Sequence, residues 1–122
     1  MNTEQGKRLS TLSEEQLDAL PFGAIRITRD GVIQSYNHYE ADLARLDPQH
    51  VVGKNFFREV APCTGVKGFE GRLHTFLTTD DTTSETFAYR FPFAHGSVDV
   101  AVTFVQLAGT DSILIAVERV DQ

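Results

Sequence analysis

Cys63 is the single cysteine of a 122-residue chain, and it follows Pro62 at the end of the stretch Val51-Val-Gly-Lys-Asn-Phe-Phe-Arg-Glu-Val-Ala-Pro-Cys-Thr64. A lone thiol is commonly a small buried hydrophobe. Its neighbours here allow another reading. Pro62 carries no amide hydrogen and biases Ala61 out of the helical region, so a helix begun near Asn55 stops before Cys63. The sulfur is then left on a rigid turn beside Phe56, Phe57 and Val60, where an attached ligand is held against an aromatic wall. Four histidines, His38, His50, His74 and His95, are available as bases for a cysteine nucleophile, but none stands in a recognisable catalytic signature.

Composition excludes several other classes. Eleven basic against seventeen acidic side chains give a net charge of −6, with no basic cluster, which argues against nucleic acid as a partner. One cysteine precludes an internal disulfide, and with four scattered histidines it makes a structural metal site an unfavourable reading. No apolar run has the length of a membrane span, and Met1-Asn-Thr-Glu-Gln-Gly-Lys-Arg8 lacks a signal-peptide core, so a cytoplasmic monomer is expected. The length fits one domain with one core.

The elements around Cys63 follow from local patterns. Residues 1 to about 12 are polar and read as a mobile end. Ser13-Glu-Glu-Gln16 has capping-box spacing and predicts a short helix through Leu20, ended by Pro21. Gly23–Thr28 and Val32–Tyr36 read as a hairpin across Arg29-Asp-Gly31. Asn37 is a favoured N-cap, and Glu40, three residues on, is placed to close a capping box. Asp47-Pro48 opens a further short helix. Gly68–Thr79 carries Phe69, Leu73, Phe76 and Leu77 at helical spacing and is expected to be the longest helix, with Glu70 in its first turn. Ser84–Phe93 alternates through Phe87, Tyr89, Phe91 and Phe93. Val98–Leu107 alternates again after a His95-Gly-Ser97 turn, and Ile113–Val120 follows a Gly109-Thr-Asp-Ser112 turn. The sum is an α+β domain: a five-stranded antiparallel sheet with helices packed on one face and a short N-terminal helical cap.

Gly53-Lys-Asn-Phe-Phe57, Val60-Ala-Pro-Cys-Thr64, Pro21-Phe-Gly-Ala-Ile25, Tyr36-Asn37 with Glu40, and Val117-Glu-Arg-Val120 together resemble the photoactive yellow protein family. The resemblance runs from about Leu17 to the C-terminus. It implies a PAS fold, with residues 1–22 as an N-terminal cap and 23–122 as a chromophore-binding core. It also implies a non-enzymatic blue-light photoreceptor whose p-coumaric acid (4-hydroxycinnamic acid) forms a covalent thioester with Cys63. Tyr36 and Glu40 then take the phenolate partners' positions, and Phe56, Ala61, Pro62 and Phe91 surround the chromophore. A carboxyl in an apolar pocket has its pKa raised, so Glu40 stays protonated and donates, while Tyr36 supplies a second hydroxyl. Light isomerises the double bond and turns the thioester carbonyl away from the Cys63 amide. The resemblance further implies that Glu40 gives its proton to the phenolate, and that the cap then loosens as the signal to an unknown downstream signalling protein.

The chain departs from the family pattern at three positions. Ala44 replaces a threonine that orients the tyrosine, and Leu46 replaces an arginine that covers the chromophore. The phenolate is therefore less favoured, and a higher colour pKa is expected, unless Arg45 moves in. His95 stands where a methionine is linked to dark recovery; it reads either as a polar turn residue or as a source of pH sensitivity. Other readings stay open beside these: Glu40 as a capping carboxylate, Tyr36 as a core tyrosine, a PAS module with a non-covalent ligand and a structural Cys63, and a cysteine-dependent enzyme.

Overall fold

The computed structural model describes residues 12–78, 84–93, 95–107 and 111–120. The polar end before residue 12, the limit at Thr79 of the expected long helix, and the Gly109-Thr110 part of the last turn lie outside them.

Helix α1 (Glu14–Asp18) begins with the expected reciprocal cap: Ser13 Oγ accepts from the Gln16 amide, and the Ser13 amide donates to Gln16 Oε1. Strands β1 (Gly23–Thr28) and β2 (Ile33–Tyr36) form the hairpin, and helices α2 (His38–Ala44) and α3 (Pro48–Val51) follow. After two wide turns and helix α4 (Arg72–Leu77), strands β3 (Ser84–Phe93), β4 (Gly96–Gln106) and β5 (Ser112–Arg119) complete the chain. The sheet order is β2-β1-β5-β4-β3, with antiparallel neighbours throughout. Alternation divides β5 between the two faces of this sheet. Ile113, Ile115 and Val117 join the main core, while Leu114 and Ala116 join a smaller one.

Helices α2 to α4 cover the main core, in which Phe69 meets Phe56, Phe57, Phe87, Tyr89, Phe91 and Phe104 at centroid distances of 5.0–6.2 Å. Ring pairs at these separations add to ordinary burial and leave little freedom for any one member. On the other face Leu17 of α1 packs with Ala24, Val105, Leu107, Leu114 and Ala116. An ion pair between Arg26 of β1 and Glu14 of α1 borders that contact.

Three local expectations are corrected. The expected helix after Asn55 is a π-helical turn, Phe56–Val60, with Val60 and Ala61 donating five residues back to Asn55 and Phe56. The segment expected as the longest helix opens as another π turn, Lys67–Gly71, before the six-residue α4, so the seven-residue α2 is the longest α-helix described. Gly68 and Gly71 place two poor helix formers in that opening turn. Glu70 pairs with Arg58 through bonds of 2.8 and 3.0 Å, which ties the two π turns together on either side of Cys63. Finally, Phe93 pairs with Gly96, so Gly96 and Ser97 belong to β4 and only residues 94 and 95 connect the strands. Gly96 has φ +134°, a conformation that a side chain resists.

Candidate functional site

A cavity of about 310 Å³ lies between α2, the Cys63 turn and the end of β3. That volume falls at the lower end of the roughly 300–1,000 Å³ typical of small-molecule pockets. Each wall has a local cause. On the first, Tyr36 ends β2, and Glu40 and Ala44 follow at one-turn intervals along α2. Positions four apart share a helix face, so a helix begun at Asn37 must show both to the same space. Leu46, 39% exposed, continues this wall towards solvent.

The second wall is Phe56, Val60, Ala61, Pro62 and Cys63. Asn55 starts it: its Oδ1 accepts from the amides of Phe57 and Arg58, and its Nδ2 donates to the Asp30 carbonyl at 2.9 Å. Ala61, at φ −133° and ψ 69°, lies outside the helical region that a following proline disfavours, and Pro62–Thr64 forms one 3₁₀ turn. Cys63 thus sits in a short helical turn rather than in open loop. Two bonds fix that turn: Thr64 Oγ1 donates to the Ala61 carbonyl at 2.6 Å, and the Tyr89 hydroxyl donates to the Cys63 carbonyl at 2.8 Å. The third wall is Phe91, Pro92 and Phe93.

Of the residues singled out from sequence, Tyr36, Glu40, Ala44, Leu46, Phe56, Ala61, Pro62, Cys63 and Phe91 all line this cavity. His95 does not. It is exposed and stacks on Phe93 at 5.0 Å, while Phe93 stacks on Phe91 at 5.4 Å. Arg45 closes α2 in a left-handed conformation (φ 57°) and lines a separate cleft with Asp42, Leu43 and His95. It therefore does not replace the arginine missing at Leu46.

The titratable groups of the cavity are shifted towards their neutral forms. Burial pushes the Glu40 carboxyl up to about 8. Tyr36 is raised far above the ordinary phenol range, by burial first and by the proximity of Glu40 second. Burial also raises the Cys63 thiol, and hydrogen bonding by its own backbone partly offsets this. A carboxyl kept protonated in an apolar wall is a hydrogen-bond donor waiting for an acceptor.

Glu40 does not close a capping box. The Asn37 amide donates to the Ala24 carbonyl at 3.0 Å instead, and Asn37 Oδ1 accepts from the Glu40 amide at 3.1 Å. Among the described residues, Glu40 Oε1 is the buried side-chain polar atom without a hydrogen-bond partner. Such an atom is costly in a native fold unless a ligand or solvent completes it. The donor pair Tyr36 and Glu40, the apolar walls and the Cys63 sulfur match the needs of a phenol-bearing acyl group, so the residues present fit a hydroxycinnamoyl thioester.

Three contributors escape the sequence reading. Gly23 is one: a Cβ there would lie 2.1 Å from Glu40 Oε1, so the carboxyl packs directly on the glycine backbone. Asn37 is another, because besides capping α2 its Nδ2 donates to the carbonyls of Leu17 and Phe22 at 2.8 and 2.9 Å, and its Oδ1 also accepts from the Ala24 amide. Tyr89, read mainly as a sheet aromatic, anchors the Cys63 turn. Nothing in spacing signals these long-range partners; the favourable N-cap at Asn37 was the one visible clue.

Residues 17–117 match the family model of the PAS fold, the class of domain that this sheet order, helical layer and cavity define. Photoactive yellow protein of Rhodothalassium salexigens is 36% identical over 92% of this chain and 89% of the relative. Its counterpart in Cereibacter sphaeroides is 35% identical over 87% and 85%. The crystal structure of the photoactive yellow protein domain from the sensor histidine kinase Ppr of Rhodospirillum centenum superposes with a TM-score of 0.83 at 34% identity, covering 93% of this chain and 98% of that domain. The chain belongs to the photoactive yellow protein family.

Proposed function

We propose that this sensory PAS domain is a blue-light receptor carrying 4-hydroxycinnamic acid as a thioester on Cys63. The observation that supports this most is one cavity lined by a cysteine, a tyrosine and a protonated glutamic acid whose Oε1 is buried and unpartnered. Loading joins the Cys63 sulfur to the acyl carbon of an activated hydroxycinnamate. The thiol proton is lost to solvent, and the activating group leaves with its bonding electron pair. The raised thiol pKa means that Cys63 does not activate itself, so the acyl donor must arrive as a reactive ester.

When bound, the chromophore supplies absorption of blue light, trans–cis isomerisation and a phenol oxygen whose proton affinity changes with both. The protein's own groups do the rest. Glu40 and Tyr36 would hold the phenol oxygen, and the Cys63 amide would be the donor nearest the thioester. Tyr89 and Thr64 fix the turn that carries the attachment point. After excitation Glu40 would pass its proton to the phenolate oxygen, which would leave a carboxylate in a dry wall against Gly23. That state is relieved by movement of the first turn of α2, where Asn37 also holds the carbonyls of Leu17 and Phe22. The loosened α1 is the proposed signal. By likeness to the Rhodospirillum centenum domain, which is part of a histidine kinase, the proposed recipient is a signalling protein. We read the domain as non-enzymatic, since its four histidines are exposed and the cavity wall at Cys63 is apolar.

The raised thiol pKa also supports a second reading, a PAS module with a non-covalent ligand and a structural Cys63. One experiment separates the two: intact mass and visible spectrum after treatment with an activated 4-hydroxycinnamate, with Cys63→Ala alongside. A single adduct, a yellow band and reversible bleaching, all lost in Cys63→Ala, are expected. A folded protein that takes up no adduct overturns the proposal and favours the second reading. In the loaded protein, Ala44→Thr should lower the colour pKa by restoring a donor one turn beyond Glu40; an unchanged titration would exclude Ala44 as its cause.

A further inference from the structure

The segment that carries Cys63 runs between the two π turns, a form of helix that is rare and frequent at functional sites. Arg58 of the first turn and Glu70 of the second meet across this segment in a forked ion pair, Nη1 to Oε1 at 2.8 Å and Nη2 to Oε2 at 3.0 Å. Isolated surface pairs contribute little, but a fork of matched geometry is an exception. The pair is also partly shielded from solvent, since the Glu70 side chain is 16% exposed. His74 stands farther from the same carboxylate, at 3.9 Å. The guanidinium lies against the chain just beyond Cys63: a Cβ on Gly65 would come within 2.9 Å of Arg58 Nη1. The Pro62–Thr64 turn there is closed by the Thr64 amide donating to the Ala61 carbonyl at 2.9 Å and the Gly65 amide donating to the Pro62 carbonyl at 3.0 Å.

We infer that Arg58 and Glu70 form an ionic clasp on the Cys63 turn, and that opening of this clasp governs how readily a reagent reaches the sulfur. Its role in loading rests on the photoreceptor reading: there the clasp regulates acylation by the activated hydroxycinnamate. Neither residue lines the cavity, so both act on Cys63 by positioning its turn. That turn is held from two directions. From β3 the Tyr89 hydroxyl fixes the Cys63 carbonyl, and from the π turns the fork covers Gly65. The second hold is the one that depends on charge. Phe57 and Phe69, the buried neighbours of Arg58 and Glu70 in sequence, keep both π turns anchored in the core when the fork opens. Opening is therefore confined to the residues between them, and half-buried Cys63 gains exposure without loss of the sheet.

The test compares folded apoprotein with its Arg58→Gln variant by amide hydrogen exchange and by alkylation of Cys63 with iodoacetamide. Alkylation joins the sulfur to the methylene carbon, expels iodide and passes the thiol proton to buffer. In Arg58→Gln the Thr64 and Gly65 amides should exchange about tenfold faster and Cys63 should react about fivefold faster, with the amides of β4 and β5 unchanged. A faster reaction cannot come from charge alone, because removal of a nearby cation disfavours the thiolate. Arg58→Lys, which keeps the charge but not the fork, should fall between the two. Salt at about 1 M, where screening acts within about 3 Å, should speed both readouts in the native chain and not in Arg58→Gln. Unchanged exchange at Thr64 and Gly65, or a rise shared equally by β4 and β5, overturns the clasp. Acylation by thiophenyl 4-hydroxycinnamate joins the same sulfur to the acyl carbon, releases thiophenol, and should follow the alkylation order across the variants. Equal acylation rates in all of them overturn the role in loading. Alkylation that follows the expected order with no acylation of any variant means that the thioester reading has failed and the clasp stands.

Discussion

The two sides of the first turn of α2 are built on opposite terms. Towards α1 stands Asn37, buried, with its amide group engaged in four hydrogen bonds that join Leu17, Phe22, Ala24 and Glu40. Towards the cavity stands Glu40, equally buried, with Oε1 unpartnered and pressed on Gly23. Three residues apart, one side chain is saturated and the other is left for something to complete. The saturated residue holds the architecture, and the incomplete one holds capacity for a ligand and for a change of state. Because the Asn37 side chain accepts from the Glu40 amide, a disturbance of one is mechanically linked to the other.

The sharpest test of this contrast is a pair of substitutions in the apoprotein. Asn37→Ala removes the cap and orphans several buried groups, so urea unfolding should show a loss of about 3 kcal/mol. Glu40→Leu removes an unsatisfied group and should leave stability unchanged or raise it by about 1 kcal/mol. Equal losses in both variants would break the comparison.

The pH dependence of the apoprotein comes next in size. Below about pH 4.5 the Glu40 carboxyl is protonated in folded and unfolded chains alike, and pH leaves its contribution unchanged. Between there and about pH 8 the unfolded chain has released the proton while the folded chain keeps it, so the folded state binds more protons. Stability therefore falls as pH rises through that window and levels off above it. The expected fall is about 2 kcal/mol between pH 6 and pH 8, and Glu40→Gln should flatten it. A slope that survives in Glu40→Gln belongs to another group.

Gly23→Ala probes the same contact from the sheet side. Its Cβ would collide with Glu40 Oε1, so the strand or the carboxyl must shift, at a cost of about 1–2 kcal/mol. In a Glu40→Ala background the loss should largely disappear, since the obstructing carboxyl is gone and only Cβ of residue 40, 3.2 Å away, remains. Additive losses in the double variant would mean that Gly23 is needed for the backbone alone.

Much of this was legible in local pattern. The capping box at Ser13, the N-cap at Asn37, the proline break before Cys63 and the alternation of β3 to β5 are short-range chemistry, and each formed. The Val-Gly-Lys-Asn-Phe-Phe and Ala-Pro-Cys strings brought the cavity wall with them. What stayed hidden was the choice among partners for one group. Glu40 had the spacing to reach the Asn37 amide, but that amide pairs with Ala24 once β1 lies alongside, and the carboxyl is released to the cavity. The π turns were equally invisible, because bonds to five residues back use the same residues and apolar spacing as an α-helix. Tyr89 reads as one more inward ring, and its hydroxyl acquires a role only when β3 meets the Cys63 turn.

The smallest expected effect lies farthest from the contrast, at His95. Its ring is exposed, so His95→Ala should change apoprotein stability by less than about 0.5 kcal/mol. Any influence on the cavity must pass along the stack from His95 through Phe93 to Phe91. In loaded protein, dark recovery should therefore change two- to threefold in His95→Ala. It should change alike in Phe93→Leu, which keeps the histidine but removes the ring that carries its influence inward. If Phe93→Leu recovers at the native rate while His95→Ala does not, His95 reaches the chromophore by another route, and the stack is sheet packing alone.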